Sequence, residues 1–126
     1  MRFDKYDPIS GGFRAPLNAN YTGAVAAVGV GINSSGLVVV GAGVAGIAIC
    51  GVICQPKNKV AGDIVDVMTA GEIVEAALAA GTLYTANTTT GAISSGAASA
   101  TQVVVGWTVE ASRLIVRVAT PQFIGT

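Results

Sequence analysis

The chain has 126 residues, of which 52% are hydrophobic and only 11% are charged. This length fits one domain with a substantial hydrophobic core. Seven basic and seven acidic residues give a formal net charge of zero, without the basic footprint of a nucleic-acid-binding protein. Histidine is absent, so the commonest general base and the commonest metal ligand are missing. We therefore expect a non-enzymatic protein without cofactor or metal, whose sparsely charged surface is covered by self-association.

Residues 1–20 differ in composition from the rest of the chain and are predicted to form an extended arm, followed by a β-domain over residues 21–126. Prolines and glycines interrupt any regular element in this segment. It contains no apolar run typical of a signal peptide, so synthesis in the cytoplasm is expected. The segment is either a frayed tail or an anchor on a partner, because aromatic and Arg side chains are common interface anchors. The candidate partner-binding residues are Phe3, Tyr6, Phe13 and Arg14.

The stretch from Leu37 to Cys54 allows three interpretations. Gly41, Gly43 and Gly46 follow an apolar run with the spacing of a dinucleotide-binding fingerprint. The stretch is also 18 residues long without a charge, which is the lower bound for a membrane span. Its valines, isoleucines and glycines are equally consistent with short β-strands.

We favour strands for this stretch. A nucleotide-binding unit needs an amphipathic helix after Gly46, but no polar residue recurs from Val44 to Cys54, where β-branched residues predominate. Membrane spans are commonly flanked by aromatic residues at the membrane surface, and this stretch lacks them. The alternatives that remain are a small membrane-associated protein with a span near residues 37–54 and a nucleotide-binding enzyme fragment.

The two cysteines, Cys50 and Cys54, are too few to form a zinc site without histidine. On one extended strand they would lie roughly 13 Å apart, which is too far for a disulfide. We expect two buried, reduced thiols.

Turn residues recur at short intervals along the remaining chain, which is typical of an all-β domain. A hairpin turn is predicted at 33–36, and the clearest strands are 102–109 and 113–120. Ile73 to Ala80 is rich in alanine and is predicted to form one or two helical turns ended by Gly81. We therefore predict a small β-barrel or sandwich, and prefer a barrel with one short helix.

Two carboxylate pairs, Asp63 with Asp66 and Glu72 with Glu75, have the residue types of a glycosidase site. Residues three apart on a strand point to opposite faces. We therefore expect solvated charges at strand edges instead of catalytic pairs.

About half of the chain, residues 60–120, carries a resemblance to a known family. The segments that carry it are, in order, AGDIVDV at 61–67, AGEIVE at 70–75, AGTLY at 80–84, Gly91, VGW at 105–107 and RLIVRV at 113–118. This series resembles the decoration proteins of tailed-bacteriophage capsids, in which similar segments recur in the same order.

The resemblance implies a β-tulip or barrel subunit that binds the outside of a phage head and stabilises the shell. It implies the major capsid protein as partner, the virion exterior as location, and a homotrimer as the assembled state. An N-terminal arm that reaches the shell is common in the family, which suits residues 1–20. Because Val25 to Cys54 is strongly apolar, we expect parts of it in the subunit interface.

Overall fold

The computed structural model describes residues 11–24, 26–41, 46–75, 78–118 and 122–123. Eleven β-strands lie in this part of the chain. They are β1 (Gly12–Pro16), β2 (Val28–Asn33), β3 (Val38–Val40), β4 (Gly46–Ile53), β5 (Ile64–Met68), β6 (Ala70–Val74), β7 (Leu83–Asn87), β8 (Ile93–Ser95), β9 (Gln102–Thr108), β10 (Arg113–Arg117) and β11 (Gln122–Phe123).

The first sheet is antiparallel and has the order β1-β5-β4-β2-β3, with β11 paired to β4. Its two edge strands approach each other where Leu17, just after β1, bridges to Val38 of β3. The Asn18 N–H donates to the Val38 carbonyl at 2.9 Å. This single bridge curls the sheet without closing it, so within the described residues the predicted barrel is not formed.

The second sheet is also antiparallel, with the order β6-β10-β9-β7-β8. Gly106 allows β9 to approach β10 closely, because a Cβ atom at this position would overlap the carbonyl oxygen of Ile115. The register between β7 and β9 shifts after Tyr84, as expected of a β-bulge.

Two hydrophobic clusters hold the fold together. The larger one lies between the sheets, where Ile49 and Val52 of β4 pack with the inner residues of the second sheet, including Leu114 and Val116. The smaller one lies on the other side of the curled first sheet and contains Leu17, Val30, Val38, Ile53, Val65 and Val67. The alternation of buried and exposed residues along β5 and β10 is the pattern of strands with one face on a core.

The prediction of an all-β fold is confirmed, but the predicted helix at Ile73–Ala80 is wrong in the residues described. Ile73 and Val74 belong to β6 and pair with Leu114 and Arg113 of β10. Ile73 is 8% exposed and belongs to the core between the sheets. At Ile73 and Val74, strand pairing and the burial of Ile73 decide the conformation over local helix propensity.

The strand interpretation of Leu37–Cys54 holds for its described residues, since 38–40 form β3 and 46–53 form β4. The helix that a nucleotide-binding unit requires after Gly46 is therefore replaced by a strand. Gly43 lies outside the described residues. In the described part of the chain, no helix has the length and hydrophobicity needed to cross a membrane.

Most apolar side chains between Val25 and Cys54 that the structure describes are used in the protein's own core. Val30, Ile49 and Val52 are fully buried, and Ile53 is 2% exposed. The large apolar side chains that are exposed in the described residues lie outside this stretch, at Val60, Ile64, Val74, Leu83, Trp107 and Val109.

Candidate functional site

The structure places two of the four candidate partner-binding residues on β1, where neighbouring side chains point to opposite faces. Phe13 is half-buried and packs against the smaller core cluster. Arg14 is exposed, and its Nε lies 2.6 Å from Oδ1 of Asp66 on β5. Phe3 and Tyr6 lie outside the described residues.

The described end of the predicted arm is thus part of the first sheet. Residues 12–16 pair with β5 along its whole length, and Leu17 is only 2% exposed. Of the predicted arm, residues 1–10 lie outside the described residues. The Phe13 side chain packs partly against the smaller core cluster of the protein, whereas the guanidinium group of Arg14 is exposed to solvent.

A cleft of about 430 Å³ adjoins β1. Val52 and Met68 of the first sheet and Ile73 of the second form part of its apolar lining, so the cleft lies between the two sheets. The exposed pair of Arg14 and Asp66 lies at its rim. The complete lining is Gly11, Gly12, Phe13, Arg14, Val52, Cys54, Asp66, Val67, Met68 and Ile73.

The two cysteines are free, but only one is buried. Burial raises the pKa of the Cys50 thiol to about 11. Cys54 is exposed at the cleft, so the expectation of two buried thiols is wrong. Partial burial raises the pKa of the Cys54 thiol, and the Glu75 carboxylate raises it further. A reactive cysteine needs a lowered pKa, so neither thiol is activated as a nucleophile.

Tyr21 lies near Cys54 in this region. Burial raises the pKa of the Tyr21 phenol, and the Cys54 thiolate raises it further. The neighbouring groups therefore favour the neutral forms of both side chains at neutral pH.

The carboxylates have separate structural partners. Oδ2 of Asp63 accepts the Val60 N–H at 2.9 Å within a turn, and Oε1 of Glu75 accepts the Ala27 N–H at 2.6 Å. Asp66 pairs with Arg14. No group of three or more His, Cys, Asp or Glu residues that could hold a metal occurs in the part of the chain that the structure describes.

The outer face of the second sheet carries a second exposed apolar surface. Cross-strand pairing places Leu83 beside Trp107 and Trp107 beside Ile115, so the three side chains form a row across β7, β9 and β10. Leu83 is 42% exposed and Trp107 is 39% exposed. We call this surface the tryptophan row.

Sequence reasoning did not find the tryptophan row. The only available signal was the alternation of β10, which turns Ile115 away from the core between Arg113 and Arg117. The neighbours of Ile115 come from strands whose register with β10 is set by the folded sheet.

Comparison of the chain with protein-family models gives no match, and a search of curated proteins gives none either.

Proposed function

We propose that this protein is a structural capsid decoration subunit that binds the outer surface of a phage head and stabilises the shell. The observation that carries the proposal is the apolar cleft beside β1. It has an apolar lining and an exposed charge pair at its rim, which is the usual arrangement of a protein-binding surface. Its lining includes Gly11, which in sequence follows the segment that contains Phe3 and Tyr6.

The resemblance of residues 60–120 to decoration proteins supplies the class of partner. Most of its segments fall on strands in chain order, with 61–67 leading into β5, 70–75 containing β6, and 113–118 containing β10. The resembling segments therefore correspond mostly to strands of the fold, taken in chain order. The β-tulip subunit and the location on the virion exterior are part of this proposal.

Stabilisation would follow from mass action. A protein that binds the assembled shell, but not the dissociated capsid subunits, shifts the assembly equilibrium toward the shell. Such a role requires surface complementarity and no reaction chemistry.

Self-association is a further part of the proposal. The trimer implied by the resemblance stays a prediction. The stretch from Val25 to Cys54 was predicted to contribute to the trimer interface. Several of its apolar side chains are instead buried within the protomer, and Val30, Ile49 and Val52 are fully buried.

Co-sedimentation with undecorated heads, assembled from the major capsid protein of the same genome, tests the proposal. Wild-type protein should bind saturably, and Arg14→Glu should weaken binding roughly tenfold or more, as for loss of an interface anchor. Lys57→Glu makes the same charge change at an exposed residue that does not line the cleft and should bind like wild type. Failure of the wild-type protein to sediment with the heads would refute the function.

A further inference from the structure

The apolar cleft beside β1 is open in the described part of the chain, and the N-terminal segment enters the fold at its edge. The residue at this point is Gly11, which lines the cleft and directly follows residues 1–10. The Gly11 carbonyl accepts the N–H groups of Thr69 at 2.9 Å and of Ala70 at 3.3 Å. These hydrogen bonds hold the start of the segment beside the cleft.

Both aromatic residues of this segment lie close to Gly11 along the chain. Tyr6 is five residues before Gly11, and Phe3 is eight residues before it. An extended chain spans at most about 3.6 Å per residue, so these two Cα atoms lie no farther than about 18 Å and about 29 Å from Gly11. A tether of this length gives the segment a local concentration on the order of millimolar at the cleft.

The lining of the cleft suits aromatic side chains. Val52, Met68 and Ile73 supply apolar surface, and a methionine thioether packs favourably against aromatic rings. The volume of about 430 Å³ is in the range of pockets that enclose small organic groups. Burial of the Phe3 and Tyr6 rings in the cleft would remove apolar surface of both partners from water.

The rim of the cleft offers charges to the same segment. The side chains of Arg14 and Asp66 pair with each other but are 75% and 77% exposed, so each can contact a further group. The segment carries Asp4, Lys5 and Asp7 beside its aromatic residues. It therefore contains carboxylates that complement Arg14 and an ammonium group that complements Asp66.

We propose that residues 1–10 fold back onto the cleft of their own chain in the free protein, with Phe3 and Tyr6 against the apolar lining. The tether favours this occupant over the same segment of another copy, because the local concentration exceeds that of a dilute protein. A phage head that binds at the cleft has to displace the segment, which releases Phe3 and Tyr6 to contact the shell. Only this last consequence rests on the proposed function.

Alkylation of Cys54 in the full chain, in the absence of heads, tests this inference. Cys54 is an exposed thiol in the lining of the cleft, and the only other cysteine, Cys50, is buried. The rate of reaction with N-ethylmaleimide, followed by mass spectrometry, therefore reports whether the cleft is covered. Cys54→Ser should lack the fast phase, which assigns that phase to this thiol.

Substitution of the two rings provides the specific test. The double variant Phe3→Ala/Tyr6→Ala should be alkylated roughly tenfold faster than wild type, since burial of an aromatic side chain is worth at least that factor in an equilibrium. The matched variant Phe3→Leu/Tyr6→Leu keeps apolar side chains and should retain most of the protection. Circular dichroism would verify that both variants are folded. Equal rates in wild type and the alanine variant, or a leucine variant as reactive as the alanine variant, would overturn the inference.

Dilution distinguishes the segment of the same chain from that of a neighbouring copy. Protection within one chain is unimolecular, so the alkylation rate of wild type should be the same at nanomolar and micromolar protein concentrations. Protection that disappears on dilution would place the segment in the cleft of another copy and would overturn the intramolecular contact. Because no heads are present, either result leaves capsid binding to the co-sedimentation test.

Discussion

At the scale of single residues, burial determines the chemistry of the cysteines. Cys50 lies on β4 and is 6% exposed, and burial raises the pKa of its thiol to about 11. Cys54 follows the same strand only four residues later but lies at the surface. The difference arises because the chain leaves the sheet after Ile53.

The raised pKa of Cys50 predicts a loss of stability in alkaline solution. The folded protein holds the thiol proton more tightly than the unfolded chain, so this contribution is complete below pH 9 and is lost as the pH rises from about 9 to about 11. Urea unfolding at several pH values would measure it. In Cys50→Ala, the decline over this pH range should be smaller than in wild type. Parallel declines in the two proteins would contradict the prediction.

Gly106→Ala should destabilise the second sheet. The new Cβ would overlap the Ile115 carbonyl, and the strands would have to separate at the middle of the sheet, at a cost of about 1 to 3 kcal/mol. Chemical denaturation would measure this loss. Gly36→Asn is the control, because Gly36 has φ of 79° with open space around it, and Asn tolerates that conformation. An unchanged denaturation midpoint for Gly106→Ala would contradict the assigned packing.

At the scale of elements, β1 is an integral strand of the first sheet. It pairs with all of β5, and its continuation places Leu17 in the smaller core cluster beside Val38 and Val65. β1 and Leu17, which lie within the segment predicted as an arm, are therefore part of the folded first sheet.

Two truncations separate β1 from the segment that precedes it. Removing residues 1–18 should lower the free energy of unfolding by at least about 2 kcal/mol relative to removing residues 1–10, because only the longer truncation deletes the buried Leu17 and exposes the edge of β5. Urea unfolding of the two truncated proteins makes the comparison. Equal midpoints would show that β1 contributes nothing to the fold.

Glu75 links the two sheets. Its carboxylate accepts the N–H of Ala27, a residue that is 3% exposed. Glu75→Ala should cost about 1 to 3 kcal/mol, since it leaves a buried donor without a partner, whereas Glu75→Gln keeps an acceptor oxygen and should cost less. Thermal denaturation would measure both losses. The exposed Glu72→Ala is the control, and equal effects at Glu72 and Glu75 would contradict this role.

At the scale of the whole molecule, the two exposed apolar surfaces involve different residues. The cleft beside β1 lies between the sheets, and the tryptophan row lies on the outer face of the second sheet. Occupation of one surface would therefore leave the other accessible.

If the protein decorates a capsid, its binding should make the head more resistant to heat. At a free protein concentration about 100 times the dissociation constant, the assembled state gains roughly 2.7 kcal/mol per site. Negative-stain electron microscopy after stepwise heating would count intact heads with and without the protein. Heads saturated with protein that break at the same temperature as bare heads would contradict a stabilising role.

The sequence by itself determined the features that depend on neighbouring residues. Alternation along residues 113–117 predicted a strand with one buried face, which is β10. The residue types at 33–36 predicted a turn. In the structure, the Asn33 carboxamide oxygen accepts the N–H of Ser35, and Gly36 adopts positive φ. Such signals are local because turn geometry and side-chain alternation involve only a few consecutive residues.

Only the tertiary structure decided the features that depend on distant parts of the chain. Ile73 belongs to a strand and not to a helix because β10 pairs with it and the opposing sheet buries it. The apolar segment around Ile49 became core, while Trp107 stayed exposed, although both lie in hydrophobic runs of the sequence. The physical reason is that composition sets how much apolar surface a chain can bury, whereas strand register and sheet packing determine which side chains are buried.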